Sequence, residues 1–224
     1  AKSWEEHIRE REEITVKENI VEKIEKKENY FTLTLKNGEV IESRFLLLTQ
    51  GSRRKKLGLP GEAKFEGKGV VYCATCDAPL FKNKIVAVIG GGNAGLEAVV
   101  DLIPYATKIF LIVRSNSLKG DAVTQEKVQK SPKVEIIFNA QTEDVVGDTF
   151  VTGLKYIDKL SNESKQIELG GVFIEIGSIP NSEIVKDLVK LNERGEVIVD
   201  HKTQLATSGI WAAGDVSDVL YKQN

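Results

Sequence analysis

The chain has 224 residues, which is enough for one large domain or two small ones. Hydrophobic residues make up 41% of the sequence and charged residues 29%, a composition that excludes a disordered chain and predicts a globular one. A formal net charge of −2 gives no reason to expect nucleic acid or an anionic membrane as a partner, and no apolar run is long enough to cross a bilayer.

The N-terminal region predicts an exposed helix followed by a small antiparallel meander. Residues 4–13 are heavily charged and are typical of the end of an exposed helix. Tyr30–Lys36 alternates between apolar and polar residues, which predicts a strand. Asn37-Gly38 supplies a hairpin turn, and Val40-Ile41 is expected to form the returning strand. Further short strands are expected at Ile14–Val16 and Ile20–Ile24.

Strand and helix patterns alternate through the rest of the chain. Phe45–Leu48 is continuously apolar, as expected of a strand that is buried on both faces, and it ends at Thr49-Gln50-Gly51. The basic stretch Ser52–Pro60 is predicted to be a linker. The remaining predicted elements are strands at 84–89, 108–113, 134–138, 172–176 and 197–199, helices at 93–106, 122–129 and 182–191, a hairpin of 150–156 with 166–169, and an apolar run at 210–213.

Gly90-Gly91-Gly92-Asn93-Ala94-Gly95 fits the pattern G-x-G-x-x-G between an apolar strand and an amphipathic helix. In such a turn the first glycine permits the tight bend, the second lets the backbone approach a pyrophosphate, and the third lets the helix pack closely. Free N–H groups and the helix dipole favour the phosphates. The motif therefore predicts a pyridine dinucleotide site, and the alternative is a structural turn without a ligand.

The end of the following strand bears on which nucleotide binds. An acidic residue there would bind the ribose hydroxyls of NADH, whereas basic residues would bind the 2′-phosphate of NADPH. The acid is missing, and Arg114, Ser115 and Lys119 supply two cations and a hydroxyl. This favours NADPH slightly over NADH, although Arg114 can equally be a solvated surface charge.

Cys73-Ala74-Thr75-Cys76-Asp77 contains both cysteines of the chain. Two thiols at this spacing can close into a disulfide that takes up and releases two electrons. Zinc would need more ligands, and the candidates His7 and His201 are distant in sequence; two inert buried cysteines are a third possibility. Asp77 can exchange a proton with a thiol, or it can be a cap or turn residue. A single CxxC favours an intracellular redox role, which we expect in the cytoplasm.

Several motifs follow one another along the chain. They are Leu-Gly-Leu-Pro-Gly at 57–61, the CxxC at 73–77, the glycine turn at 90–95, Ile-Gly-Ser-Ile-Pro-Asn at 176–181 and Ala-Ala-Gly-Asp-Val at 212–216. Together they resemble the low-molecular-weight thioredoxin reductases and, equally, the flavoprotein component of alkyl hydroperoxide reductase. The resemblance implies an α/β fold, in which a Rossmann-like three-layer NAD(P) domain is inserted in an FAD-binding domain with a small antiparallel meander.

The resemblance also implies a domain division and roles for individual residues. Residues 1–55 and 171–224 would be two segments of a partial FAD-binding domain, and 56–170 would be the NAD(P)-binding domain that carries the CxxC. Cys76 would face the flavin, Cys73 would attack the disulfide of a partner, and Asp77 would be the acid or base. The implied FAD contacts are Thr49, Gly51, Gly214, Asp215, Lys222 and Gln223, and Gly177 is a further predicted cofactor-binding residue.

The chain departs from the family pattern in ways that leave the nucleotide and the partner open. Val113, Ser115 and Lys119 replace three of the four positions of the basic phosphate cluster that is usual in the thioredoxin reductases. Gly95 is more common in the hydroperoxide reductase branch, but the acid which that branch carries near 113 is absent. The chain has no methionine, no second glycine motif before the CxxC and no closing helix after Gln223. We therefore expect a chain truncated at both ends that binds FAD weakly or not at all and is inactive alone.

The sequence thus predicts a disulfide reductase that passes electrons from NAD(P)H through FAD to Cys73–Cys76 and on to a thioredoxin-like protein, as a homodimer when intact. One alternative is an NADH-dependent reductase of a peroxiredoxin system, and another is a non-catalytic module that senses NAD(P). Because the nicotinamide and the CxxC must reach the same flavin in turn, the NAD(P) domain is expected to rotate about hinges near Arg54–Leu57 and Leu169–Val172.

Overall fold

The computed structural model describes residues 2–220, with side chains from residue 5 onward. In chain order, the elements are α1 Lys2–Arg9, β1 Val21–Lys26, β2 Phe31–Leu35, β3 Val40–Ser43, β4 Leu46–Leu48, β5 Ser52–Arg54, α2 Pro60–Phe65, β6 Val70–Val71, α3 Ala74–Asp77, β7 Ile85–Ile89, α4 Asn93–Leu102, β8 Lys108–Ile112, α5 Ala122–Lys130, β9 Val134–Ile137, β10 Ala140–Gly147, β11 Val151–Asp158, β12 Glu163–Glu168, β13 Val172–Ile174, β14 Ser178–Pro180, β15 Leu205–Thr207 and β16 Ile210–Ala212. Short 3-10 helices lie at Ala78–Phe81, Glu183–Val185 and Gly214–Val216.

The chain divides into two compact units. Unit 1 contains the residues up to Ser52 together with those from Pro180 onward, and unit 2 is the continuous stretch Arg53–Ile179. The first boundary lies close to the expected one after residue 55. The second lies later than the expected boundary after residue 170, because β13 pairs in parallel with both β6 and β7 of unit 2.

The segment expected to be the second hinge is therefore part of the unit 2 sheet. The Gly170 backbone amide donates to the Ile85 carbonyl at 2.8 Å, and the Val172 amide donates to the Gly69 carbonyl at 2.8 Å. Hydrogen bonds on both sides of Gly171 fix this stretch within unit 2. The expected hinge at Leu169–Val172 therefore does not coincide with the boundary between the two units, which follows Ile179.

Unit 2 has three layers around a five-stranded sheet in the order β6-β13-β7-β8-β9, in which every strand pair is parallel. Successive side chains of β7 point to opposite faces, so Val86 and Val88 pack against α4, whereas Ala87 and Ile89 pack against the antiparallel sheet β10-β11-β12. Burial on both faces explains the unbroken apolar run of this strand. The Rossmann-like α/β fold is thus confirmed.

The two long helices of unit 2 begin where local chemistry favours a helix start. Gly92 is the N-cap of α4, and Asp121 is the N-cap of α5. The Thr124 backbone amide donates to Asp121 Oδ1 at 2.9 Å, which satisfies one of the free amides of the first turn. Lys127 and Lys130 lie in the last turn of α5, where the helix dipole favours cations. The two helices lie beside the sheet edge that carries the glycine turn.

Unit 1 contains the predicted meander β1-β2-β3 and a second three-stranded sheet, β15-β16-β4. Its core includes Phe31, Leu46, Leu48 and Ile210. β4 is apolar throughout, yet Phe45 and Leu47 are 63% and 65% exposed. The prediction that this strand is buried on both faces was wrong for the described residues, because only its even-numbered side chains face the core.

Other features of unit 1 and unit 2 also differ from the expectations. Ile14–Val16 is not a strand, and the predicted helix 182–191 contains only the 3-10 turn Glu183–Val185. Strand β10 was missed because its first half contains a run of four polar residues, Gln141–Asp144, without apolar alternation. None of the described helices is long and apolar enough to cross a membrane.

Candidate functional site

The candidate residues of unit 2 follow the carboxyl ends of neighbouring parallel strands. Cys73 comes shortly after β6, Glu175 directly after β13, Gly90 directly after β7 and Arg114 shortly after β8. These strands are adjacent and parallel, so their carboxyl ends meet at one edge of the sheet. Ligands of open α/β sheets bind at this edge. The fold therefore brings the CxxC and the glycine turn to the same edge.

The glycine turn has the geometry that a dinucleotide site requires. Gly90 has φ +136°, and a Cβ there would lie 2.1 Å from the Glu175 carbonyl oxygen. A Cβ on Gly95 would lie 2.0 Å from the Gly90 carbonyl oxygen, so helix α4 starts in close contact with the turn. A Cβ on Gly92 would meet nothing within 4 Å. Open space beside the first turn of α4 is where a pyrophosphate would lie, so the residues present fit this group.

Two hydrogen bonds attach the loop after β8 to this turn. The Lys119 backbone amide donates to the Gly91 carbonyl at 2.8 Å, and the Asp121 amide donates to Asn93 Oδ1 at 2.8 Å. Lys119 and Arg114 are exposed, and both lie in this loop region. The loop that carries the candidate 2′-phosphate cations is therefore attached to the candidate pyrophosphate turn.

Ser115 and Ala94 complete the predicted nucleotide residues. The Ser115 hydroxyl donates to the Ser117 carbonyl at 2.8 Å, so its proton is already used within the loop, although its oxygen can still accept. Ala94 lies in the first turn of α4, directly after Asn93. Both residues are half-buried.

Cys73 and Cys76 are joined in a disulfide, with 5.4 Å between their Cα atoms. Cys73 is the N-cap of the short helix α3, and its Sγ accepts a hydrogen bond from the Cys76 amide at 3.2 Å. Cys76 is exposed and Cys73 is half-buried. Asp77, also half-buried, donates its backbone amide to the Cys73 carbonyl at 3.1 Å. The two cysteine residues therefore differ in their exposure to solvent.

Glu175 is a buried carboxyl that the sequence patterns did not identify. Its exposed fraction is 7%, and it directly follows β13, which pairs with β6, the strand that leads to the CxxC. Burial raises the pKa of Glu175 to about 7, and the Arg54 guanidinium, 3.8 Å away, opposes this rise. Glu175 lies in a strand-like apolar run, so no local signal marks it as part of a site.

Glu62 is a second buried carboxyl near the CxxC that sequence reasoning missed. Its exposed fraction is 2%, and it accepts a 2.9 Å hydrogen bond from the hydroxyl of Tyr72, the residue before Cys73. It also accepts the backbone amides of Leu57 at 3.1 Å, Gly58 at 2.7 Å and Leu59 at 3.4 Å. Burial and the Glu62 carboxylate raise the pKa of Tyr72. Glu62 thus ties the segment before α2 to the strand that leads into the CxxC.

The predicted FAD contacts of unit 1 also follow adjacent parallel strands. β4 and β16 are paired in parallel, so Thr49 and Gly51 follow one strand end, and Gly214 and Asp215 follow the other. The Ser52 hydroxyl lies 3.5 Å from Asp215 Oδ2, which links the two loops within unit 1. These residues fit part of a dinucleotide site, with an acid at a sheet edge. Lys222 and Gln223 lie outside the described residues.

Gly177 lies in unit 2, shortly after β13. Its φ is +95°, and its carbonyl oxygen accepts the Lys55 backbone amide at 2.9 Å. The nearby strand β6 leads to Cys73 from the same sheet edge. Within unit 2, the structure therefore brings Gly177 to the edge that carries the glycine turn and the CxxC.

A parallel α/β sheet that carries a glycine turn and a disulfide at one edge defines a dinucleotide-binding fold with a redox-type cysteine pair. The family model described as pyridine nucleotide-disulphide oxidoreductase matches residues 3–223. The chain belongs to this family.

Named relatives are similar over most of the chain. A Bacillus subtilis protein named NADH dehydrogenase is 41% identical over 223 residues, which are 100% of this chain and 44% of that protein. The F component of the alkyl hydroperoxide reductase of Staphylococcus epidermidis is 43% identical over 200 residues, or 89% of this chain and 39% of that protein. The chain thus spans less than half the length of these relatives.

Solved structures of thioredoxin reductases share the fold. The thioredoxin reductase of T. acidophilum has a TM-score of 0.76 and 36% identity, covering 92% of this chain and 67% of that one. The expected resemblance to both the thioredoxin reductases and the hydroperoxide reductase flavoproteins is therefore confirmed.

Proposed function

We propose that this chain carries the redox-active disulfide and the nucleotide-binding turn of an NAD(P)H-dependent disulfide reductase. The observation that carries the proposal is the shared sheet edge: the Cys73–Cys76 disulfide follows β6, and the turn at 90–95 follows β7. Membership of the family supports the same interpretation. In the net reaction NAD(P)H and one proton reduce a partner's disulfide to two thiols, and NAD(P)+ is released.

In this proposal the nucleotide lies along the first turn of α4. Its pyrophosphate occupies the open space beside Gly92, where the helix dipole favours negative charge. Arg114 and Lys119 lie in the attached loop and would contact the adenosine end of the nucleotide. These cations favour NADPH, whereas the name of the Bacillus relative favours NADH.

The cysteines have separate proposed roles. FAD, which Thr49, Gly51, Gly214 and Asp215 would help to hold, supplies a carrier that accepts a hydride and delivers two electrons to a disulfide. Cys76 is proposed to face the flavin. Cys73 is proposed to attack the partner's disulfide and form a mixed disulfide, which Cys76 then resolves. Asp77 is proposed to hold the proton exchanged as the Cys73–Cys76 bond opens and closes.

The proposed partner is a thioredoxin-like protein disulfide, in line with the thioredoxin reductase structures of the same fold. A second candidate is a peroxiredoxin-system protein. Identities of 41% and 43% to the two bacterial relatives, one of them a component of alkyl hydroperoxide reductase, favour this candidate. We propose that the whole protein is a homodimer. We also propose that it is cytoplasmic, since its reductant NAD(P)H is an intracellular metabolite.

The test is steady-state reduction of a protein disulfide by NADH or NADPH, with FAD added, on the protein as its gene encodes it. We expect loss of the nicotinamide absorbance and two new partner thiols for each nucleotide oxidised, with either thioredoxin or a peroxiredoxin-system disulfide as substrate. Cys73→Ser and Cys76→Ser should abolish partner reduction but leave nucleotide binding intact. Partner reduction that persists in both variants, or a chain that binds neither nucleotide, would reject the proposal.

A further inference from the structure

A side-chain hydrogen bond joins the CxxC to the helix that starts in the glycine turn. Thr75, which lies between the two cysteines, donates its hydroxyl to Asp101 Oδ2 at 2.8 Å. Asp101 lies near the end of α4, and this helix begins at Asn93, inside the glycine turn. Neither side chain has a role in the proposed electron transfer. One hydrogen bond therefore attaches the cysteine loop to the helix of the candidate nucleotide site.

The inner side of α3 is attached to α4 by apolar packing. Ala74 of α3 and Ala78, which follows it, are buried in the same core cluster as Val99 and Leu102 of α4. The two alanines are four residues apart, so they lie on one side of the turn. Thr75 is exposed, and its hydrogen bond adds a polar attachment on the solvent side of the same turn.

Helix α3 is too short to keep its conformation without help. It has four residues, and isolated helices shorter than about 12 residues are marginal in water. The disulfide closes the turn, the Cys76 amide donates to Cys73 Sγ at 3.2 Å, and the Asp77 amide donates to the Cys73 carbonyl at 3.1 Å. Because reduction removes the covalent closure, the turn of the dithiol form depends more on its attachment to α4.

We propose that Asp101 is a positioning residue that favours the closed form of the Cys73–Cys76 disulfide. The inference rests on the proposed function, in which this disulfide opens and closes during turnover. By accepting the Thr75 hydroxyl, Asp101 restrains α3 of the reduced chain in the turn that brings the two sulfurs together. Less conformational entropy is then lost when the disulfide forms, so the equilibrium shifts toward the disulfide.

The test is a redox equilibrium of the full chain with dithiothreitol, and it needs no nucleotide, flavin or partner protein. Dithiothreitol gives two electrons and two protons to the cysteine pair, and its own sulfurs join in a ring disulfide as the Cys73–Cys76 bond breaks. Trapping the protein thiols with a maleimide gives the reduced fraction at each ratio of reduced to oxidised dithiothreitol. For Thr75→Val, which lacks the donor, we expect a shift of about fivefold, or about 20 mV, toward the dithiol.

Conservative variants separate the hydrogen bond from charge and shape. Thr75→Ser keeps the hydroxyl, and Asp101→Asn keeps an oxygen acceptor without the charge, so both should stay within about twofold of the parent. Asp101→Ala removes the acceptor and should shift the equilibrium as far as Thr75→Val does. The double variant of Thr75→Val and Asp101→Ala should shift it no further, since both changes remove the same bond.

Two results with these variants would overturn the proposal. A shift in Asp101→Asn as large as that in Asp101→Ala would assign the effect to the charge of the carboxylate. A shift in Thr75→Ser as large as that in Thr75→Val would show that the hydroxyl is not responsible.

A matched control tests for effects of losing any hydroxyl–carboxylate bond in this unit. The Ser164 hydroxyl donates to Glu143 Oε2 at 2.6 Å, an exposed bond that joins side chains of β12 and β10. Ser164→Ala should leave the redox equilibrium unchanged. An unchanged equilibrium in Thr75→Val as well would reject the proposal. That result would leave the proposed reductase function standing, because partner reduction is measured separately.

Discussion

A Cβ atom on Gly90 would lie 2.1 Å from the backbone carbonyl oxygen of Glu175. The φ angle of +136° at Gly90 is also one that side chains rarely adopt. Gly90→Ala therefore combines backbone strain with a steric clash. The clash is with a backbone oxygen, which cannot move aside as the end of a flexible side chain could. We expect a loss of roughly 3 kcal/mol in the free energy of unfolding, measured by urea denaturation.

Gly67→Ala is the matched control for Gly90→Ala. Gly67 lies in the same unit with φ +73°, but a Cβ there would meet nothing within 4 Å. Its expected cost is about 1 kcal/mol, the penalty of the left-handed conformation alone. Equal losses for the two alanines would show that the contact with Glu175 does not constrain the turn.

Replacement of Glu62 should be one of the most destabilising substitutions in unit 2. Glu62→Ala leaves the amides of 57–59 and the Tyr72 hydroxyl, which are half-buried or, at Gly58, exposed, without their common buried acceptor. We expect a loss of roughly 3 kcal/mol, measured by chemical denaturation. Glu66→Ala, which removes an exposed carboxylate that pairs with Lys56 at 2.7 Å, should change stability by less than about 0.5 kcal/mol.

Tyr72→Phe tests a single bond of the Glu62 cluster. It removes one of the four donors and leaves the three backbone amides bound, so its expected cost is about 1 kcal/mol. A cost as large as that of Glu62→Ala would mean that the ring of Tyr72, and not the carboxylate, dominates the cluster.

Glu175 should make stability depend on pH in a defined direction. Its pKa is raised to about 7 in the folded chain, against an ordinary value of 4.5. Between these values the folded chain holds a proton that the unfolded chain has lost, so this residue lowers stability as pH rises. Below about pH 4.5 there is no penalty, and above about pH 7 it is complete.

Glu175→Gln removes this titration. The stability of the variant relative to the parent should therefore rise between about pH 4.5 and pH 7, by on the order of 2 kcal/mol, and then stay constant. Unfolding followed by circular dichroism at several pH values measures the difference. A difference that does not change with pH would show that burial does not perturb this carboxyl.

Arg114 should distinguish the two nucleotides. Its guanidinium follows β8 in the loop region attached to the glycine turn, where only NADPH presents a phosphate on the adenosine ribose. Arg114→Ala should weaken NADPH binding by about tenfold and leave NADH binding almost unchanged, as measured by calorimetric titration. Lys127→Ala, an exposed cation on α5, is the control and should affect neither. Equal weakening of both nucleotides would assign Arg114 to another part of the site.

The parts of the site that depend on local sequence could be predicted. The glycine turn requires glycine at fixed spacing because of close backbone approach, and the CxxC is defined by covalent spacing. The strands β7 and β8 could be recognised because burial on both faces makes them apolar, except for Lys108 at the start of β8. Each of these signals lies within a few neighbouring residues.

The features that depend on distant contacts could not be predicted. Glu175 is one carboxyl in an otherwise apolar run, and the parallel pairing of β13 with β6 and β7 brings it to the edge that carries the site. Its partner Arg54 lies on β5, which pairs with β14 in a separate sheet. The pairing of β13 also moved the unit boundary past the glycines at 170 and 171. The placement of Glu175 and the position of the unit boundary both depend on strand order, which the residue pattern does not reveal.

Unit 2 is a single unbroken stretch of chain, and it contains the cysteine pair, the glycine turn and the buried carboxyls of Glu62 and Glu175. A gene segment that encodes residues 53–179 would therefore produce the whole candidate-site edge of the sheet as one continuous chain. The product would be small enough for isotope labelling. Unit 1 offers no such route, because its two stretches would have to be joined by an artificial loop.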